Sequence, residues 1–319
     1  MSEELKTEIL EPEKKQEKYS YSKIDTYKNC PFHYKLKYVD GNYVPFDSIA
    51  TEFGTLIHET EEAIGNAIKD GQTIDYIALK HNFSIRSAEL KAKYTKAWME
   101  KDKSNRTYDD KAIEYLTSGI YRLETLMKKH PEYEIIGCEV EFDFLFNGKY
   151  LFHGFIDRIF YNKDTKQFIV QDIKSYAVPL DKDKLTTPLQ FVVYTLAMAE
   201  KYKANFADIS CQYDLPLCDM VQDAGTKGYV DRGIKKLDEL FLGIEGKDWK
   251  PAPCPLCAWC EFSRTSEFGK DPANKQYNLC PYYSLWTKDR KMFGKENEWL
   301  GMSMHPVIME NFKRKHHLV

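Results

Sequence analysis

The chain has 319 residues, enough for one large domain with a sizeable buried core. Lys and Arg total 46 against 49 Asp and Glu, so the formal net charge is -3 and a polycation is excluded; any nucleic-acid surface must be local. No apolar stretch approaches the ~20 residues that cross a bilayer, and the opening MSEELKTEILEPEKKQEK lacks the apolar segment of a secretory signal, which points to a cytoplasmic, membrane-free protein.

Residues 1–18 are charged without apolar periodicity and are expected to form a disordered tail. From Tyr19 the chain looks ordered. Ser20 or Ser22 can cap a short helix carrying Ile24, Tyr27 and Lys28, which Pro31 breaks. In FGTLIHETEEAIGNAIK (53–69), Phe53, Leu56, Ile57, Ile64 and Ile68 fall on one helical stripe. Residues 74–130 continue helix-like with charged faces, and 70–131 is taken as a helical insertion.

The period then changes to two. YEIIGCEVEFDFLF (133–146) and KYLFHGFIDRIFY (149–161) alternate like strands around Asn147-Gly148, a hairpin turn signal. A third strand is expected at 168–176, a helix from about Thr186-Thr187-Pro188 through LQFVVYTLAMAEKY, a fourth strand at 208–216 and an amphipathic helix at 229–245. The order α-β-β-β-α-β predicts a mixed α/β fold.

Two sets of residues carry chemistry. On the third strand Phe168, Val170, Asp172 and Lys174 share a face that ends in an acid and a base; on the second, His153, Phe155, Asp157 and Ile159 do. Antiparallel pairing brings Asp157 and Asp172 near one another, and two close carboxylates suit a hard cation, Mg2+ or Mn2+. Gly54, His58 and Glu62 follow at intervals of four on one helix, so His58 can add a nitrogen ligand with Glu62 behind it; Gln190 and Tyr194 are likewise four apart. The second set is the eight cysteines. Cys138, Cys211 and Cys218 stand alone as structural thiols, whereas Cys254, Cys257 and Cys260 in PCPLCAWC have the close spacing that lets thiolates from one turn reach one metal, with Cys280 downstream and Cys30 far upstream.

In chain order, GTLIHETEE (54–62), GFID (154–157), DIK (172–174) and QFVVY (190–194) resemble the motif series of RecB-type nucleases in the PD-(D/E)xK superfamily, over about Tyr19 to Cys280. The resemblance implies a restriction-endonuclease-like core. It also implies a cation held by His58, Asp157, Asp172 and the backbone carbonyl of Ile173, with Lys174 catalytic and Gln190 and Tyr194 near the scissile phosphate. YSKIDTYKNCPFHYKLKY resembles the N-terminal segment of AddB-like and CRISPR-adaptation nucleases, whose cysteine joins a C-terminal trio on a 4Fe–4S cluster. Here the spacing departs from that pattern. Cys30, Cys257, Cys260 and Cys280 are one ligand set, and Cys30, Cys254, Cys257 and Cys260 are another. A third arrangement holds Zn2+ on the four C-terminal cysteines.

The implied activity is exonucleolytic processing of DNA ends in repair, recombination or phage DNA metabolism, in a bacterial or phage-infected cytoplasm. The DNA is single-stranded or end-containing, with a helicase or recombinase as a candidate partner, since no motor motif is present. A catalytically silent DNA-end scaffold and a sequence-specific endonuclease are the alternatives. Candidate DNA contacts are Lys91, Lys93, Lys96, Lys101, Lys103 and Arg106 on the insertion, and the basic run Lys313 to His317 in the 281–319 extension, with Tyr34 and Trp259 as candidate base-stacking rings.

Overall fold

The structure, a computed structural model, describes residues 16–42, 48–186, 189–225, 228–252, 257, 260–263 and 279–280. Cys254, Trp259 and the basic run of the 281–319 extension lie outside these residues.

A short strand β1 (Lys18–Tyr19) precedes α1 (Tyr21–Asn29), whose cap is Ser20, its Oγ accepting the Lys23 N–H at 3.2 Å. Gln16 donates to the Lys149 carbonyl; residues 1–15 of the expected tail lie outside the described residues. After α2 (Pro31–Tyr34) and a π-helical turn comes α3 (Ile49–Lys69), longer at its start than the apolar stripe requires because Ser48 supplies the cap. The insertion folds as α4 (Tyr76–Lys93), α5 (Thr95–Met99), α6 (Tyr108–Thr117) and α7 (Arg122–Lys129).

The hairpin β2 (Tyr133–Phe146) and β3 (Tyr150–Asn162) turns where Asn147 and Gly148 both take positive φ, 52° and 65°. Then follow β4 (Gln167–Ile173), α8 (Lys182–Thr186), α9 (Leu189–Tyr202), β5 (Ile209–Leu215), β6 (Met220–Ala224) and α10 (Val230–Glu245). Strand β4 ends at Ile173, short of the expected Tyr176, although the Lys174 N–H still reaches the Asp214 carbonyl at 2.8 Å. Strands β1 and β6 were not anticipated: two residues carry no period, and MVQDA lacks the β-branched run of a buried strand.

The six strands form one mixed sheet, with β3 antiparallel to β2 and β4, β4 parallel to β5, and β5 antiparallel to β6. On the edge of β3 away from β2, β1 pairs with Leu151–Phe152 and β4 with Arg158–Asn162. Asp157 falls in the gap between these two pairings. One core, with Phe152, Val170, Phe191, Val192 and Phe241, lies between the sheet and α1, α9 and α10. The other, with Phe53, Ile57, Ile64, Phe83, Trp98 and Tyr115, lies between the sheet, α3 and the insertion. This arrangement of α3, three meandering strands, α9 and β5 is the mixed α/β order expected from the periodicities, and it is consistent with the restriction-endonuclease-like core that the resemblance implies. Among the described residues no helix is long and apolar enough to cross a membrane.

Candidate active site

Alternation on β4 sends Phe168, Val170 and Asp172 to the α9 side, and Asp172 is only 1% exposed. Gln190 Nε2 donates to Asp172 Oδ1 and to the Tyr194 hydroxyl, both at 2.8 Å, and Tyr194 donates to the same Oδ1 at 3.4 Å. The two side chains act together because they stand one turn apart on α9. Lys174 Nζ lies 2.6 Å from Asp172 Oδ2, a buried ion pair that occupies the oxygen left free by Gln190 and Tyr194. Burial favours the neutral amine, but Asp172 raises the Lys174 pKa, so it stays an ammonium.

Asp157 Oδ2 accepts the Ile173 N–H at 2.6 Å, which ties β3 to the end of β4. One step beyond the last paired residues, Arg158 and Gln171, the register sets Asp157 opposite Asp172. Burial first, and Asp172 second, push the Asp157 carboxyl up to about 7, the signature of an acid that resists ionising without a cation. His58 Nδ1 lies 3.6 Å from Asp157 Oδ2 and 4.0 Å from Glu139 Oε1. Burial disfavours its charge, yet Glu139 and Asp157 raise its pKa overall.

Among the described residues three groups bring ligand atoms within 4.8 Å of one another; the one at this site is His58, Asp157 and Glu139, without Asp172, and the others are Glu141, Asp143 and His153 on the outer face and His33, Cys260 and Glu261. Glu139 escaped the sequence reasoning. It sits in the alternating run Glu139, Glu141, Asp143, which has the pattern of a solvated strand face. Counting back from the hairpin would have found it only with the loop length known, since Phe146 pairs Tyr150 across three residues rather than two. Glu62 lines the same cleft of about 610 Å³ as His58, Glu59, Glu139 and Phe155, and its carboxyl is raised by burial, then by Glu139 and Glu59. The carboxylates beside the imidazole are thus Asp157 and Glu139 rather than Glu62. Gly54 lets α3 approach the end of β4, since a Cβ there would meet Ser175 Oγ at 3.1 Å.

The PD-(D/E)XK nuclease superfamily matches residues 18–265, most of the chain and all of this site. The chain belongs to that superfamily. No curated protein matches it. Among solved structures, the one titled "Crystal structure of SSO0001" is similar at 17% identity and a TM-score of 0.26, covering 57% of this chain and 80% of that one, a likeness too slight to argue from. Membership makes this a nuclease superfamily chain whose activity uses a metal and acts on DNA.

Behind the site of this PD-(D/E)XK chain lies a charged network that the sequence did not disclose. Asp157 and Arg158 are consecutive, yet both face α3, while Ile156 and Ile159 on either side pack in the opposite core. Ile159 therefore does not share the face of His153, Phe155 and Asp157: the strand twists off simple alternation at the acid. Arg158, 0% exposed, donates to Glu61 Oε2 at 2.8 Å and to Asp214 Oδ2 and Gln171 Oε1, both at 3.2 Å. Tyr115 donates to Glu61 at 2.9 Å, and Arg122 to Asp214 at 2.6 Å.

Beside α1 and α2, Cys30, Cys257, Cys260 and Cys280 line one pocket of about 180 Å³ with Phe32, His33 and Leu36. Burial above all pushes the Cys260 thiol up to about 12. The Ala252 N–H points at Cys30 Sγ at 3.5 Å. Of the isolated thiols, Cys211 is buried and Cys138 and Cys218 half-buried. Three of the six basic candidates on the insertion are closely engaged: Lys91 pairs with Asp109 at 2.6 Å, Lys93 with Glu52 at 2.5 Å, and Arg106 with Glu114 and the Ala177 carbonyl. Tyr34, 1% exposed and stacked on Trp249, is a packing residue rather than a base platform.

Proposed function

We propose that this protein is a divalent-cation-dependent DNA exonuclease that trims DNA ends, with His58, Asp157, Asp172 and the Ile173 carbonyl holding Mg2+ or Mn2+. The observation that carries the reading is the buried Asp172 carboxylate, held through Oδ1 by Gln190 and paired through Oδ2 with Lys174, beside a His–carboxylate group of hard-cation chemistry. When bound, the cation polarises the phosphate and makes a water acidic enough to attack it.

The chain's own residues do the rest. Gln190 and Tyr194 fix Asp172 through Oδ1 and leave Oδ2 to Lys174 and to a cation. Ile173 N–H fixes one oxygen of Asp157. Lys174, paired with Asp172, orients the attacking water or donates to the phosphate as negative charge builds. The preference for ends rests on the resemblance of the motif series to RecB-type nucleases, as does delivery of DNA by a helicase or recombinase.

The four cysteines around one pocket support a 4Fe–4S cluster on Cys30, Cys257, Cys260 and Cys280 that clasps the two ends of the domain. Anaerobically purified protein is expected to be brown and bleached by dithionite; colourless protein with stoichiometric zinc replaces the cluster with Zn2+. Activity is read on end-labelled linear and closed circular DNA with Mg2+ or Mn2+. Linear DNA is expected to be consumed from its ends, and Asp172→Ala and Lys174→Ala each to lower the rate by about 100-fold or more. Hydrolysis that survives both substitutions removes the site assignment. Binding without cleavage favours the scaffold, and discrete bands from circles favour an endonuclease.

A further inference from the structure

We propose that Glu139 is a further carboxylate ligand of the cation, brought into the site by a backbone distortion in β2; the proposal rests on the nuclease reading above. The three acids of β2 part company along the strand. Glu141 and Asp143 stay exposed and lie 3.8 and 3.0 Å from His153 on the outer surface. Glu139 is half-buried and has φ of 45°, the only left-handed backbone inside a strand among the described residues. Glutamate has no intrinsic reason to adopt that region, so the surrounding fold must impose it, and such outliers collect at functional sites.

The effect of the distortion is specific. Cys138 and Glu139 are consecutive, yet both face α3: a Cβ on Gly65 would meet Cys138 Sγ at 2.4 Å, and Glu139 Oε1 is 4.0 Å from His58 Nδ1. Asp157 and Arg158 do the same on β3, opposite them in the register. Each strand thus breaks its alternation at the same level and turns one carboxylate toward the same imidazole. A solvated strand acid needs neither departure. The three ligand atoms lie within 4.8 Å of one another, close to the ~4.2 Å that two opposed ligand bonds of ~2.1 Å span around a hard cation. Asp157 and Glu139 together would supply two of its negative charges from neighbouring strands.

The test is calorimetric titration of the full chain with Mn2+ in the absence of DNA. It compares the unmodified protein with Glu139→Gln, with Glu139→Asn, whose residue tolerates left-handed backbone, and with Glu59→Gln, a cleft carboxylate paired to Arg86 at 3.0 Å. Affinity is expected to fall roughly tenfold or more in both Glu139 variants and by less than about twofold in Glu59→Gln. Unchanged affinity in the Glu139 variants, or an equal loss in Glu59→Gln, overturns the proposal, the second by exposing a general charge effect. Should neither Glu139 variant fold, carbodiimide labelling of the unmodified chain decides: Mn2+ is expected to protect Glu139, and labelling indifferent to Mn2+ overturns the role. An unmodified chain that binds no Mn2+ at all overturns the nuclease reading itself, and this ligand with it.

Discussion

Arg158 and Asp157 are neighbours in sequence that hold opposite kinds of charge for opposite reasons. Asp157 lies behind the cleft residue His58, while Arg158 is sealed between Glu61 and Asp214. A buried pair contributes little net stability, but removing one partner strands the others in a dry interior. Arg158→Met is therefore expected to cost about 3–5 kcal/mol in urea unfolding, because Glu61 would be left with only the Tyr115 hydroxyl and Asp214 with Arg122. A loss under about 1 kcal/mol would mean that water reaches these carboxylates. The motif acids and Lys174 were legible in the sequence because residue type and order identify them. Arg158, Glu61 and Asp214 were not, since a charged residue in a helix or strand most often faces solvent and nothing local marks the exception.

At the scale of elements, the insertion is held by polar joints as much as by its core. The loop between α5 and α6 is closed by Asp102, which accepts from Lys111 at 2.7 Å and from the Ser104 N–H at 2.8 Å, with Lys111 only 6% exposed. Burial pulls the Asp102 carboxyl up, but the bonds from Lys111 and Ser104 outweigh it and hold the group well below the usual carboxylate range. A depressed carboxylate stabilises the fold above its unfolded pKa of about 4, and that contribution is lost as the pH falls below it. Asp102→Asn should thus cost about 1 kcal/mol at neutral pH, after screening at a site one-third exposed, and the difference should shrink toward pH ~2. Melting curves across that range check it; a difference constant with pH would show that the charge of Asp102 is immaterial. Other elements were readable where a local rule dominates, as at the Ser20 cap and the Asn147-Gly148 turn, and unreadable where pairing alone makes them, as at β1 and β6.

Over the whole molecule, Cys30 at the junction of α1 and α2 meets cysteines from beyond residue 256 in one pocket. A metal clasp there would close a loop of more than two hundred residues, where cross-links restrict the unfolded chain most. Cys30→Ala is expected to lose the bound metal and about 3 kcal/mol of stability, roughly a 10 °C lower Tm for a domain of this size. Metal analysis beside a thermal melt tests this, and a variant that keeps its metal and its Tm would take Cys30 out of the clasp. The same scale explains the site. Asp157 lies in the gap on the β3 edge between β1 and β4, so a strand from the start of the domain and one from its middle frame it.

The sequence by itself determined the order of the core elements α3, β2 to β4, α9 and β5, because apolar period and turn residues act locally, and it determined the motif side chains, because their types and order are chemically restrictive. Only the tertiary structure decided which carboxylates meet at His58. That depends on the register across a three-residue hairpin loop and on two strands leaving alternation at Glu139 and Asp157, where a shift of one residue exchanges one face of the sheet for the other.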